Sequence, residues 1–407
     1  MQNWHDDKTA STVRQDQSGV SAGRSALAAA FALALASAVS LGLARFSYAL
    51  LLPAMRADLG WTYLTAGAMN TGNAAGYLVG ALFAPRWLAR FSARTVLLAG
   101  GVGALLLLAA HGLVLGDVPL LALRFLTGIS SAASFVAGGL LAARLAGGGL
   151  SAGLVLGIYY GGTGLGIVAS ALLVPPLAER AVPHAWQTAW FALGAVALLA
   201  TALTARATRH VAAASSGQGA RAPLRWAALR FALAGYLMFG LGYIGYMTFV
   251  ITLLREQGLS AGHTVAFYIV LGVGVVVSSW LWAGLLQRAR GGAALALLNG
   301  LLAVATLLPV LSAHPVAVFA SGALFGSVFL SVVASTTALV RHNLPSAVWP
   351  SGIAAFTIVF AAGQIVGPSA VGWVADGPGG LARGFAASAA VLGLGALLAA
   401  MQRPLRH

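Results

Sequence analysis

The chain has no cysteine and very little acid. Only 8 of its 407 residues are Asp or Glu, and charged residues of both signs make up 8%, against about 25% in an ordinary soluble domain. Without cysteine there is no disulfide, no thiolate nucleophile and no sulfur-ligated metal. No HExxH and no pair of carboxylates lies inside an apolar run, so zinc-protease and two-carboxylate hydrolase chemistry have nothing to work with. A GxxxxGK[ST] loop is missing as well; uphill work, if any, must draw on an ion or substrate gradient. No cofactor, metal or enzymatic activity is expected. The first 24 residues are polar, with Asp6, Asp7 and Asp16 among them. They do not read as a signal peptide, so residues 1–25 are expected to stay as a cytoplasmic tail.

What is present is apolar, at 59% of the chain. Runs close to the ~20 residues that cross a bilayer recur along it. They fall at 26–53, 63–84, 95–115, 118–141, 151–174, 187–205, 229–253, 264–286, 293–311, 316–339, 350–373 and 382–401. The pattern predicts an all-α membrane protein with twelve transmembrane helices.

The net charge of +15 could suggest nucleic acid, but its distribution points to lipid. With both ends inside, most of the 23 basic residues fall on the cytoplasmic side, among them Arg86, Arg90, Arg94, Arg144, Arg206, Arg288, Arg341 and Arg403. The opposite loops hold only Arg56, Arg180, Arg255 and Arg383, while Arg45 and Arg124 lie within spans. That asymmetry is the positive-inside signal. It implies a multi-pass protein of the plasma membrane (a bacterial inner membrane) with both termini cytoplasmic, touching anionic lipid and no nucleic acid. The chain is expected to be monomeric.

The one long polar interruption, "RATRHVAAASSGQGARAPLRWAA" at 206–228, reads as a flexible cytoplasmic linker. It divides the chain into six-span bundles at 26–205 and 229–403. The halves also match. "GLARFSY" (42–48) aligns with "GLGYIGY" (240–246), setting Arg45 opposite Tyr243 and Tyr48 opposite Tyr246. At the same offset Gly128 meets Gly326, and a similar one pairs Gly162 and Gly166 with Gly363 and Gly367. Two pseudo-symmetric six-helix bundles are the layout of transporters that bind substrate at midplane.

Twelve spans, a central loop and "RFLTG" (124–128) resemble the major facilitator superfamily over about residues 26–403. More narrowly, "LARFSYALLLPAMRADLGW" (43–61), "NTGNAAGYLVGAL" (70–82) and "FAAGQIVGPSAVGWVAD" (360–376) resemble its YbfB/YjiJ-like branch. The resemblance implies the major facilitator fold and secondary transport. One departure stands out. The loop between spans 2 and 3 reads "APRWLARFSAR", with arginines but without the aspartate usual there, which removes the carboxylate of an inner gating latch.

Eight polar residues inside the spans are the candidate substrate contacts: Arg45, Tyr48, Asn70, Asn73, Arg124, Tyr243, Tyr246 and Gln364. At 100° per residue, Ser37, Arg45 and Tyr48 share one face of span 1. Tyr236, Phe239, Tyr243 and Tyr246 form an aromatic arc on span 7. Each has an ordinary reading beside the functional one: amides can bond neighbouring helices, and Arg124 could bond span-1 carbonyls. Arg45 is the sharpest case. All acids fall in the tail, in outer loops or at outer span ends, so a guanidinium here must snorkel, find carbonyls, or meet a transient anion. Its planar fork suits a carboxylate or phosphate. The leading expectation is a secondary transporter of a small organic molecule, an organic anion slightly favoured. An exporter of amphipathic or aromatic compounds and a non-transporting membrane sensor are the alternatives.

Overall fold

A computed structural model of the chain describes residues 26–145, 151–210, 224 and 226–405. The 1–25 tail and residues 211–223 and 225 of the 206–228 linker lie outside the described residues. Twelve long helices carry the rest: α1 (Ala26–Leu59), α2 (Tyr63–Arg90), α3 (Ala93–His111), α4 (Asp117–Leu145), α5 (Ala152–Leu173), α6 (Trp186–Ala207), α7 (Arg230–Glu256), α8 (Ala261–Leu281), α9 (Ala293–Leu311), α10 (Pro315–Asn343), α11 (Trp349–Ala375) and α12 (Gly380–Ala400). Eleven are long and apolar enough to cross a membrane. The exception, α2, has 28 residues and so spans about 42 Å; Asn70, Asn73 and its threonines dilute its hydropathy. Helix starts follow local chemistry: Thr62, Ser92, Ser151 and Ser260 each accept a backbone N–H three residues on, the usual side-chain N-cap.

Several helices outrun the expected spans. The first continues through Pro53 to Leu59 and the second through Pro85 to Arg90, so the expected outer loop at 54–62 shrinks to the turn at Gly60. That glycine sits at φ 67°, the left-handed region that ends helices. Inside α1, Ala38–Phe46 is wound as a π-helix with every residue buried, and the Ser47 N–H reaches back five residues to the Gly42 carbonyl at 3.0 Å.

The two halves repeat the same packing. In the first, α2 lies on α4, α3 on α4 and α6, and α1 on α5; in the second, α8 lies on α10, α9 on α10 and α12, and α7 on α11. The repeat reaches single contacts. A side chain at Gly128 would strike the Asn73 carbonyl, and one at Gly326 would strike the Leu271 carbonyl, so each glycine faces the residue that stands in the same relation in its own half. Between the halves run two matching seams, α2 on α11 and α5 on α8, with the end of α1 against α7. Glycine sets their closeness. The Cα of Gly67 nears the Pro368 carbonyl, and Gly164 and Gly272 face each other's carbonyls. Such small-residue contacts let helix backbones approach where lipid offers no hydrophobic drive.

Candidate substrate site at the seam between the halves

Arg45 projects from the π-helical segment of α1 and is 4% exposed. Its Nη2 donates to Gln364 Oε1 on α11, across the seam. Among the described residues this is its one hydrogen-bond partner, and its Nε is buried without any. The ring of Tyr77 on α2 lies 5.6 Å from the guanidinium carbon and that of Phe46 5.9 Å, in the range of cation–π attraction. No described carboxylate is near; all five (Asp58, Asp117, Glu179, Glu256 and Asp376) sit at one end of the bundle, called below the acidic end. Five N–H donors with one neutral acceptor leave a buried cation with unused capacity.

Arg124 on α4 is more completely engaged. Nη1 donates to the Ala44 carbonyl at 3.1 Å and Nη2 to Asn70 Oδ1 at 3.4 Å. The Tyr48 ring lies 4.6 Å away and Trp190 6.0 Å. Tyr48 in turn donates to the Ala66 carbonyl at 2.9 Å. Asn73 donates to the carbonyl of Arg124 at 3.1 Å, while its Oδ1 has no partner. Asn70 reaches across the seam to Thr248 on α7 at 2.6 Å. Arg124, Asn70, Asn73 and Tyr48 thus form one cluster, bound to α1 through the Ala44 carbonyl, one residue before Arg45.

The shared face expected on span 1 is dispersed by the π winding, which breaks the 100° step on which that expectation rested. Ser37 meets Thr163 on α5 at 2.9 Å, Tyr48 meets α2, and Arg45 meets α11. The wide turn also leaves carbonyls for side chains: Ser47 takes Leu43 at 2.5 Å, Arg124 takes Ala44, and Tyr268 on α8 takes Phe46 at 2.6 Å.

The aromatic arc of α7 divides in two. Tyr236, Phe239 and Tyr243 stack with Phe360 of α11 through five ring contacts, each within 20° of parallel at 4.6–5.6 Å, and Tyr243 continues to Phe329 of α10 at 6.1 Å. Phe329 meets Phe46 edge-on at 5.7 Å, which carries the stack across the seam to the residue beside Arg45. Tyr246 turns away into its own half, stacked 3.9 Å from Phe325 and hydrogen-bonded to Ser321 at 2.7 Å. The structure therefore brings Arg45 together with Gln364, and the aromatic stack close by, but sets Tyr246 apart. Thr248, Phe329, Phe360 and Tyr268 did not emerge from sequence. Tyr77, whose ring lies 5.6 Å from the Arg45 guanidinium carbon, was likewise not among the candidates. A cavity of about 350 Å³ between α2, α3 and α4, lined by Trp87, Phe91, Ile129 and Ala133 among others, contains none of these residues.

Residues 37–400 match the family model described as an uncharacterised MFS-type transporter, YbfB. The chain belongs to that family of the major facilitator superfamily. It is accordingly a multi-pass membrane transporter of the secondary type, and not an enzyme. No curated protein matches it in sequence. Among solved structures it resembles a bacterial homolog of the human lysosomal transporter Spinster in an inward-facing, unoccupied conformation (TM-score 0.69, 14% identity, 92% of this chain and 96% of that one). It also resembles the nucleoside transporter NupG (TM-score 0.68, 13% identity, 91% and 97%). At such identities the likeness is one of fold.

Proposed function

We propose that this transporter moves a small organic anion across the plasma membrane by alternating access, with residues 26–205 and 229–403 as the rocking bodies. Both termini are cytoplasmic and the acidic end faces outward, as the distribution of arginine favours. The observation that carries the reading is Arg45: a seam guanidinium, 4% exposed, with one neutral partner and no carboxylate in reach. Burying such a charge costs at least about 3 kcal/mol, and a permanent acid would offset that cost if holding the helices together were its only role. An incoming carboxylate would take the donors that Gln364 leaves unused, and Gln364 itself lets binding couple α1 to α11. The near-parallel stack from Tyr236 to Phe329 favours a second reading, in which the cargo is an aromatic or amphipathic compound.

Thermal-shift and uptake measurements with small carboxylates, aromatic acids and lipophilic cations separate these readings. Arg45→Gln should abolish carboxylate binding while leaving unliganded stability close to native, and Arg45→Lys should recover only part of it, because an ammonium cannot present the fork. Carboxylate-dependent stabilisation that survives in Arg45→Gln would remove Arg45 from the site. Stabilisation by lipophilic cations alone would favour the second reading.

A further inference from the structure

The hydrogen bonds and ion pairs described between the halves lie in the half of the bundle nearer the acidic end. Arg45–Gln364, Asn70–Thr248, Thr71 with Ile365 and Ser369, and Tyr268–Phe46 are the deeper ones. Above them sits a denser set built on carboxylates. Asp376, just past the end of α11, accepts the backbone N–H groups of Tyr63 at 2.7 Å and Leu64 at 2.9 Å, one on each oxygen. It thereby caps the first turn of a helix in the other half, where unpaired N–H groups and the helix dipole both favour an anion. Glu256, at the end of α7, accepts the Tyr63 hydroxyl and lies 3.7 Å from Arg56 of α1. The Arg56 guanidinium covers the Tyr63 ring at 3.8 Å. Arg255 meets Glu179, beyond α5, at 3.0 Å.

Three of the five described acids thus bridge the halves. The other two do not: Asp58 bonds His184 and Trp186, and Asp117 bonds Trp61, all within the first half. At the opposite end the facing turns of α2 and α3 carry Arg86, Arg90 and Arg94 and no acid. From this placement we infer that Asp376, Glu256 and Glu179 form the latch of the transport cycle, holding the acidic end shut, with no carboxylate counterpart on the basic side among the described residues. Asp376 acts directly on α2, the helix that lies along α11 at the seam. Opening toward the acidic side requires both its hydrogen bonds to break, together with the Glu256 and Glu179 contacts. The latch positions the halves; it touches no substrate.

The test uses the full chain in lipid nanodiscs, where both faces are accessible and orientation does not matter. The chain lacks cysteine, so spin labels attach only at introduced sites: Ala57→Cys and Arg383→Cys, exposed at the acidic end in opposite halves. The native background should give one short distance. Asp376→Asn and Glu256→Gln should each raise the open, long-distance population by about fivefold, the effect expected for losing one partly solvated charged contact. Asp58→Asn, whose acid stays within one half, should leave the distribution unchanged. Should Asp376→Asn fail to fold, the exposed pair decides: Arg255→Glu should open the acidic end, and Arg255→Glu with Glu179→Arg should close it again. An unchanged distance in all bridging variants overturns the latch, as does an equal opening by Asp58→Asn, which would mark a general charge effect.

Discussion

Arg45 and Arg124 are two buried guanidiniums whose surroundings assign them opposite duties. Arg124 has a carbonyl, an amide oxygen and two aromatic faces around it, so its removal strands the Ala44 carbonyl and Asn70 Oδ1 in the core. A hydrogen bond to a charged group contributes about 1.5–3 kcal/mol, and an orphaned buried acceptor adds a cost of its own. Arg124→Gln should therefore lower the melting temperature by several degrees in detergent. Arg45→Gln, which deprives only Gln364 of a partner, should melt within a degree or two of native. Equal destabilisation by both would mean that Arg45 is also a structural cation and would weaken the case for an anion at the seam. The sequence alone left Arg124 open between these duties because the deciding acceptor is a main-chain oxygen, and every residue carries one of those.

At the scale of the helix, close glycine contacts and one π segment determine where the polar groups go. Gly128 and Gly326 leave no room for a side chain against α2 and α8. Gly128→Val and Gly326→Val should each cost about 1–3 kcal/mol by overpacking, read as loss of monodisperse protein on size-exclusion chromatography. Gly153→Ala at the start of α5, where nothing lies within 4 Å, should be neutral or slightly stabilising. Those glycines were legible in the sequence because the duplication aligns them and the pattern has a physical cause. So were the twelve helices, since an apolar run of bilayer length has few other uses. The π winding of Ala38–Phe46 was not legible: Gly42 weakens a helix without specifying a wider turn, and the partners that take its carbonyls come from α4 and α8, which local sequence does not show. The error it introduced was specific, grouping Ser37, Arg45 and Tyr48 on a single face. Tyr246 faces Phe325 and Ser321 inside its own half, a placement that helical phase could not foresee because it cannot tell the inside of one half from the seam between two.

Taken as a whole, the molecule places every described carboxylate at one end and none along the seam at the depth of Arg45, which bears on how transport is driven. Proton-coupled carriers need a titratable group where burial and neighbouring charge can tune it. The groups along this seam are arginines, which stay charged, and tyrosines, whose ordinary pKa near 10 lies far from working pH. Of the described acids, Asp376, Glu256 and Glu179 join the halves at the acidic end, so protonating them would change which face is open without delivering a proton through the seam. Transport is therefore expected to be facilitated diffusion, exchange, or cotransport in which the proton rides on the substrate's own carboxylate as it meets Arg45. Proteoliposomes containing a known substrate separate these roles. Asp58→Asn with Asp117→Asn should leave pH-driven accumulation intact. Asp376→Asn and Glu256→Gln should change exchange and pH-driven uptake in the same proportion, since a latch acts on both. If one of them instead abolished pH-driven accumulation while exchange continued at its native rate, that carboxylate would be the proton carrier, and the substrate could not be the sole carrier of the coupling proton.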